Sequence, residues 1–192
     1  MFKYLTGVKP TGEFHLGNYV NTIKPILDQK LESDTLFLIA DYHALTSNND
    51  EIRRDKINIA KILLSFGIEN VIFQSDFNEI FELNWILSCF TLKGLMNRAH
   101  AYKDRVEENR NKDLHEDKNI NMGLYNYPIL MTSDLTIFDC EKVFIGSDQL
   151  QHIEMANDIT QRFNSITRSQ VLKIPEPVQQ GHNILGFDGN KM

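Results

Sequence analysis

Basic side chains are the scarcer sign in this 192-residue chain: 20 Lys and Arg stand against 26 Asp and Glu, a formal net charge of −6. That excludes a surface basic all over, the usual electrostatic footprint of a nucleic-acid binder, and leaves room only for a local basic face. Cysteine is scarce as well, with Cys89 and Cys140 alone. Both sit in largely apolar sequence without C-x-x-C spacing, which argues against a disulfide framework or a zinc site and predicts two buried thiols. No run reaches the ~18 apolar residues that cross a bilayer, and the N-terminus lacks the basic-then-apolar order of a secretory signal. The reading is a cytoplasmic protein with no membrane partner. Histidines are not clustered: His100, His115, His152 and His182 lack the spacing partners of a metal site, so solvent or capping roles are expected and no tightly bound metal.

What is present is enough apolar side chain, 42% of residues, for one domain with a sizeable core. "FKYL" (2–5), "TLFLIA" (35–40), "NVIFQ" (70–74) and "KVFIG" (142–146) read as short strands, each apolar and each followed by a turn signal. Val20, Ile23, Ile26, Leu27 and Leu31 recur at helical spacing, as do Ile52, Ile59, Ile62, Leu63 and Phe66 before a Gly67 stop. Pro25 predicts a bend in the first helix, not a second helix. Further helices are expected at about 77–88, 91–106 and 122–137, the last with a proline inside, and another from "SDQ" to near Asn164. Residues 104–119 carry mixed charge and read as a solvated loop or helix end. The final stretch from Val171 has Pro and Gly signals without periodicity and reads as loop. Strands alternating with helices predict an α/β fold: a doubly wound parallel sheet with a mainly helical insertion after the third strand.

In such a sheet, ligands bind beyond the carboxyl ends of the strands, where a loop hands over to a helix N-terminus. "GVKPTGEFHLGN" (7–18) stands there after the first strand. Gly7 and Gly12 permit tight turns and close backbone approach, and Gly17 lets a flat group lie at the helix start without a Cβ in the way. His15 and Asn18 lie three apart and can donate to phosphate oxygens, with Thr11 and Lys9 adding a donor and a charge. On spacing alone, glycines for turns and His15 as a helix-terminal residue is an equal alternative. Asp148, alone, reads as a helix cap; Tyr127 and Met131, alone, read as core, and Asp134 as an exposed helix residue.

The turn resembles the "HIGH" signature of class I aminoacyl-tRNA synthetases, in the P-T/S-G-x-x-H-x-G-N-Y form typical of the bacterial tryptophanyl branch. Further landmarks of that branch follow in order: "ADYHALT" (40–46), "NYPILMTSDL" (126–135), "VFIGSDQLQHIE" (143–154), "RFN" (162–164) and "GFDGNKM" (186–192). The resemblance covers essentially the whole chain. It implies a Rossmann-like catalytic domain over 1–192 with a helical insertion at about 77–137. The activity it implies is ATP-dependent activation of tryptophan, with Mg²⁺-ATP as substrate, and transfer to tRNA(Trp) by a homodimeric enzyme.

By the same resemblance His15, Asn18 and Lys191 would be catalytic. Lys9, Pro10, Thr11, Gly17, Asn18, Gly146, Ser147, Asp148, Gln149, Lys191 and Met192 would bind ATP. Leu5, Gly7, His43, Tyr127, Met131 and Asp134 would bind tryptophan. The chemistry agrees with the assignment: a carboxylate such as Asp148 suits a pair of ribose hydroxyls, and an indole N–H, a donor only, needs an acceptor such as Asp134. Tyr127, Met131 and Asp134, at i, i+4 and i+7, share a helix face. Tyr102, Lys103 and Arg105 match a basic stretch of the insertion, where the two cations could meet phosphate.

In the family, "GxKM" opens the K-M-S-K-S loop. The resemblance therefore implies a fragment that ends inside that loop, incomplete at the C-terminus and without the helical anticodon-binding domain. Three other readings stay open: the tyrosyl-type sister synthetase, a short catalytically impaired module that binds an amino acid or nucleotide, and a small nucleotidylyltransferase with a similar turn.

Overall fold

The four apolar runs do form strands, and they pair side by side because each needs cover on both faces. The structure, a computed structural model, describes residues 2–12, 14–47, 51–146 and 149–179. Strands β1 (Tyr4–Val8), β2 (Thr35–Ile39), β3 (Val71–Phe73), β4 (Lys142–Ile145) and β5 (Glu176–Gln179) make one sheet in the order β3-β2-β1-β4-β5. Every pairing is parallel, with Gly7 opposite Leu38 and Leu5 opposite Val143. All five residues of β2 are buried, as expected of a strand covered on both faces. The expected doubly wound α/β fold is borne out.

Three local differences from the sequence reading have physical causes. β1 runs to Val8, so Gly7 lies in the strand and not in the turn. The segment read as terminal loop contains β5, an edge strand that accommodates Pro177 because its outer side needs no ladder donor. The helix expected over 91–106 is two, α6 (Lys93–Met96) and α7 (His100–Asn111), separated at Ala99, whose backbone is extended.

The first helix is a continuous run with an irregular middle. α1 (Leu16–Asn18) passes through a π-helical turn, Tyr19–Ile23, into α2 (Lys24–Asp28). Within the turn the Lys24 N–H donates five residues back, to Tyr19 O, immediately before Pro25, which has no N–H to give. α3 (Asp41–Ala44) follows β2, and α4 (Ile52–Ser65) leads to Gly67, whose φ of +78° stops it as expected.

The residues divide into two compact units. The sheet unit holds residues up to Phe77, Phe138–Leu150 and those from Pro175 on. Its core joins Ile23 and Ile26 to Phe37 and Ile39 of β2, Ile59 and Leu63 of α4, Ile68 and Phe144. The helical unit is Asn78–Ile137 with Gln151–Ile174. It contains α5 (Asn78–Phe90), α6, α7, α8 (Met122–Ile137) and most of α9 (Leu150–Thr167), around Leu87, Met96, Ala99, Ile129, Met155 and Ile159. Residues 112–119, past the end of α7, are turn and irregular chain, largely exposed, as the charge pattern predicts.

Candidate active site

The strand order reverses between β1 and β4, because the chain leaves β1 towards β2 and returns from β3 to the other side. Beyond the carboxyl ends of these two neighbours lies the crevice that such sheets use for ligands. The sequence places there the turn after β1 and, after β4, Gly146, whose carbonyl accepts the Gln149 N–H at 3.0 Å.

The turn is held from three directions. Gly12 has φ +84°, a left-handed backbone that favours glycine, and its N–H donates to Asp55 Oδ2 at 3.0 Å. Asp55 is buried on α4 and also meets the Arg54 guanidinium at 3.2 Å. Thr11 N–H closes a tight turn on Lys9 O at 2.9 Å. Lys9 Nζ donates to Thr46 Oγ1 at 3.2 Å, and Thr46 donates on to His43 O at 2.8 Å. Lys9 is exposed as a residue, but the surroundings of its ammonium end are partly buried, which lowers its pKa.

At the helix start, His15 and Asn18 cap each other. Asn18 N–H donates to His15 Nδ1 at 3.4 Å, and His15 N–H donates to Asn18 Oδ1 at 3.0 Å. This is a capping box with histidine in the N-cap place. The alternative of His15 as a helix-terminal residue thus holds structurally, and the same geometry has a chemical consequence. With Nδ1 accepting, the neutral ring carries its proton on Nε2; with Oδ1 accepting, the Asn18 amide leaves its NH₂ for donation. Both side chains present donors to an oxyanion.

Sequence reasoning passed over the residues that fix the neighbouring loops. Gln74, fully buried after β3, accepts from Tyr42 and His43 N–H at 3.1 and 3.3 Å, which positions His43 at the start of α3. Asp41, also buried, accepts from Ser75 N–H at 3.0 Å, Ser75 Oγ at 2.6 Å and Lys56 Nζ at 2.5 Å. Asp41 lies inside "ADYHALT"; Asp55 and Gln74 belong to no motif and become visible only when the chain is folded.

In the helical unit, Tyr127, Met131 and Asp134 follow one another along α8. Asp134 is 4% exposed, so its reading as an exposed helix residue is corrected: the helix buries Pro128, Ile129 and every residue from Thr132 to Thr136. That burial is tolerable because hydroxyls bond back to the helix, Thr132 to Pro128 O at 2.8 Å and Thr136 to Thr132 O at 2.9 Å. His152 of α9, partly buried, meets a partner that its sequence spacing did not suggest: Nε2 lies 2.5 Å from the Tyr127 hydroxyl. Burial first, and then the charge of Asp104, raise the pKa of that hydroxyl.

The remaining candidates fall out as follows. Leu5, buried, and Gly7 share a face of β1; a Cβ on Gly7 would stand 3.3 Å from Leu38 O. Pro10 and Gly17 are buried, Thr11 exposed. Arg105 pairs with Glu108 at 3.2 Å and Tyr102 donates to Asp117 at 3.0 Å. Cys140 is buried, but Cys89 is exposed, on the outward side of α5 beside Trp85 and Ile86. Ser147, Asp148, His182, Lys191 and Met192 lie outside the described residues. Among the described residues, no three His, Cys, Asp or Glu side chains are grouped to hold a metal, and no helix is long and apolar enough to cross a membrane.

A parallel sheet whose switch point carries a glycine turn and a capped helix start defines the Rossmann-like α/β class. Comparison with known proteins narrows the class: the family described as "tRNA synthetases class I (W and Y)" matches residues 1–192, and the chain belongs to it. It is 44% identical over 200 residues to a tryptophan–tRNA ligase of Bordetella pertussis, covering 99% of this chain and 44% of that protein. A crystal structure of tryptophanyl-tRNA synthetase from Campylobacter jejuni, complexed with ADP and tryptophan, superposes with a TM-score of 0.82 at 39% identity, over 98% of this chain and 59% of that one. A tyrosyl-tRNA synthetase from Archaeoglobus fulgidus, at 18% identity and a TM-score of 0.66, shares the fold. The chain spans about half the length of the relatives it matches.

Proposed function

We propose that this chain is the ATP- and tryptophan-binding catalytic portion of a tryptophan–tRNA ligase. The observation that carries the reading is the 44% identity to a named ligase across 99% of the chain, with the landmark motifs in order. The tyrosyl alternative is disfavoured, since the tyrosyl neighbour shares the fold at only 18% identity.

In the reaction, a carboxylate oxygen of tryptophan attacks the α-phosphorus of Mg²⁺-ATP, the bond to the bridging oxygen breaks, and pyrophosphate leaves. Negative charge builds on the phosphate oxygens, and pre-placed donors lower the barrier. His15 Nε2–H and the Asn18 amide are such donors, fixed by their mutual capping, and Lys9 adds a positive charge. Pro10, Thr11 and Gly17 shape the nucleotide's bed after β1, and Gly146, Ser147, Asp148 and Gln149 hold its ribose and adenine. Lys191 and Met192 would open the loop that closes over the triphosphate. Leu5, Gly7, His43, Tyr127, Met131 and Asp134 are the residues this reading assigns to the amino acid, with Asp134 accepting from the indole N–H. The acyl group then passes to tRNA(Trp). Homodimer assembly, a cytoplasmic location and a catalytic domain over 1–192 with an insertion at about 77–137 belong to the same reading.

Tryptophan-dependent exchange of pyrophosphate into ATP, measured on the protein extended to the length of its relatives, tests it. Exchange with tryptophan and none with tyrosine is expected; exchange driven by tyrosine, or by neither, sinks the proposal.

A further inference from the structure

Within the helical unit one side-chain pair joins α8 to the first turn of α9. The Tyr127 hydroxyl and His152 Nε2 are 2.5 Å apart, and the rings meet edge-on, 5.3 Å between centroids at 65°. Both side chains are partly buried. Burial and the nearby Asp104 keep the phenol protonated at neutral pH, so the contact joins an intact hydroxyl to an imidazole. Whether the hydroxyl donates to Nε2 or Nε2–H donates to the hydroxyl, the bond sets the C–O–H rotor, and the edge-on ring contact restrains Tyr127 about its two side-chain torsions. His152 is in turn three residues past Gln149, in the segment that leaves β4.

We propose that His152 is a positioning residue for tryptophan recognition, acting through Tyr127: it holds the phenol ring and hydroxyl in the orientation that receives the amino acid. This rests on the assignment of Tyr127 to the tryptophan site made above. A tyrosine free to turn would spend part of its time in unproductive orientations, and the loss would appear as weaker binding in proportion to the competent fraction.

Calorimetric titration with tryptophan, on the chain and the variants H152A, H152Q, Y127F and Y127F/H152A, tests the proposal. H152A is expected to weaken tryptophan binding about fivefold to tenfold, the range set by one lost hydrogen bond. H152Q, whose amide reaches the place of Nε2, should restore most of the affinity. In a Y127F background, H152A should add little, because the pathway through the hydroxyl is already cut. A structural role alone would lower the unfolding midpoint of H152A without rescue by glutamine and would add to Y127F in full. Unchanged affinity in H152A, or full additivity with Y127F, overturns the role of His152 while leaving the tryptophan site intact. Absence of tryptophan binding in the unsubstituted chain overturns the site assignment itself, and this inference with it.

Discussion

The turn after β1 and the middle of α8 both carry residues assigned to substrate, and they hold them by opposite means. The turn is mostly exposed and works through its backbone: a left-handed Gly12, a reciprocal cap at His15 and Asn18, and one carboxylate, Asp55, reaching in from 43 residues away. α8 is buried and works through side chains, its hydroxyls satisfied by its own carbonyls and its apolar residue Ile129 set in the cluster around Leu87 and Met155. Phosphate, strongly hydrated, can be met at a surface by several pre-placed donors, whereas an indole must be enclosed, with its one polar atom matched. The two regions should therefore fail differently.

The largest expected effect is at the buried region. Asp134→Ala should cost about 1 to 3 kcal/mol of tryptophan affinity, since a buried donor on the ligand would lose its partner. ATP affinity should stay within a factor of two or so; a titration in which both ligands weaken equally would erase the contrast. Next comes Gly12→Ala. Among the described residues nothing lies within 4 Å of the added Cβ, so the expected cost is conformational, about 1 to 2 kcal/mol for a left-handed residue. Chemical denaturation should register it, with tryptophan affinity unmoved, and Gly12→Asn should recover part of it because asparagine tolerates that conformation better. No loss of stability would mean that the turn accepts another backbone.

The smallest effect concerns the thiols, one in each unit. Burial pushes the Cys140 thiol from 9.0 to about 11, so the folded state resists its ionisation. For a group whose folded pKa lies above the unfolded one, stability is whole below pH 9 and declines as pH rises from there towards 11. Stability measured across that window should fall less in Cys140→Ala. At pH 8 a thiol reagent should modify the exposed Cys89 promptly and Cys140 only on unfolding.

Much of the scaffold was legible because its signals are local. The strand runs, the Gly67 stop and helix 122–137, bounded as expected despite Pro128, each follow from periodicity and turn chemistry within a dozen residues. The unread parts depend on distant partners. β5 is a strand only because β4 offers it an edge, and nothing in "EPVQ" announces that. Cys89 looked buried because its sequence neighbours are apolar, yet the face of α5 that carries Trp85 points outward. Asp55 and Gln74 act across gaps of 43 and 32 residues and lie in no motif, and His152, though inside "VFIGSDQLQHIE", meets a partner 25 residues away that the motif does not announce. The glycine turn and the helix start behind it were legible as such; the carboxylate that fastens the turn was not.

The π-helical turn at Tyr19–Ile23 has a further consequence for that helix start. Each residue advances an α-helix by 100°, so a turn one residue wider shifts the angular phase of everything after it. Before it stand His15 and Asn18, which cap the helix start; after it stand Ile26 and Leu27, which pack into the hydrophobic interior. The wide turn works as a gearing between these two demands, letting the capped end and the core end be clocked independently on a single rod. Removing one residue there would force the two ends back into one phase, and either the caps or the core would have to lose their seating.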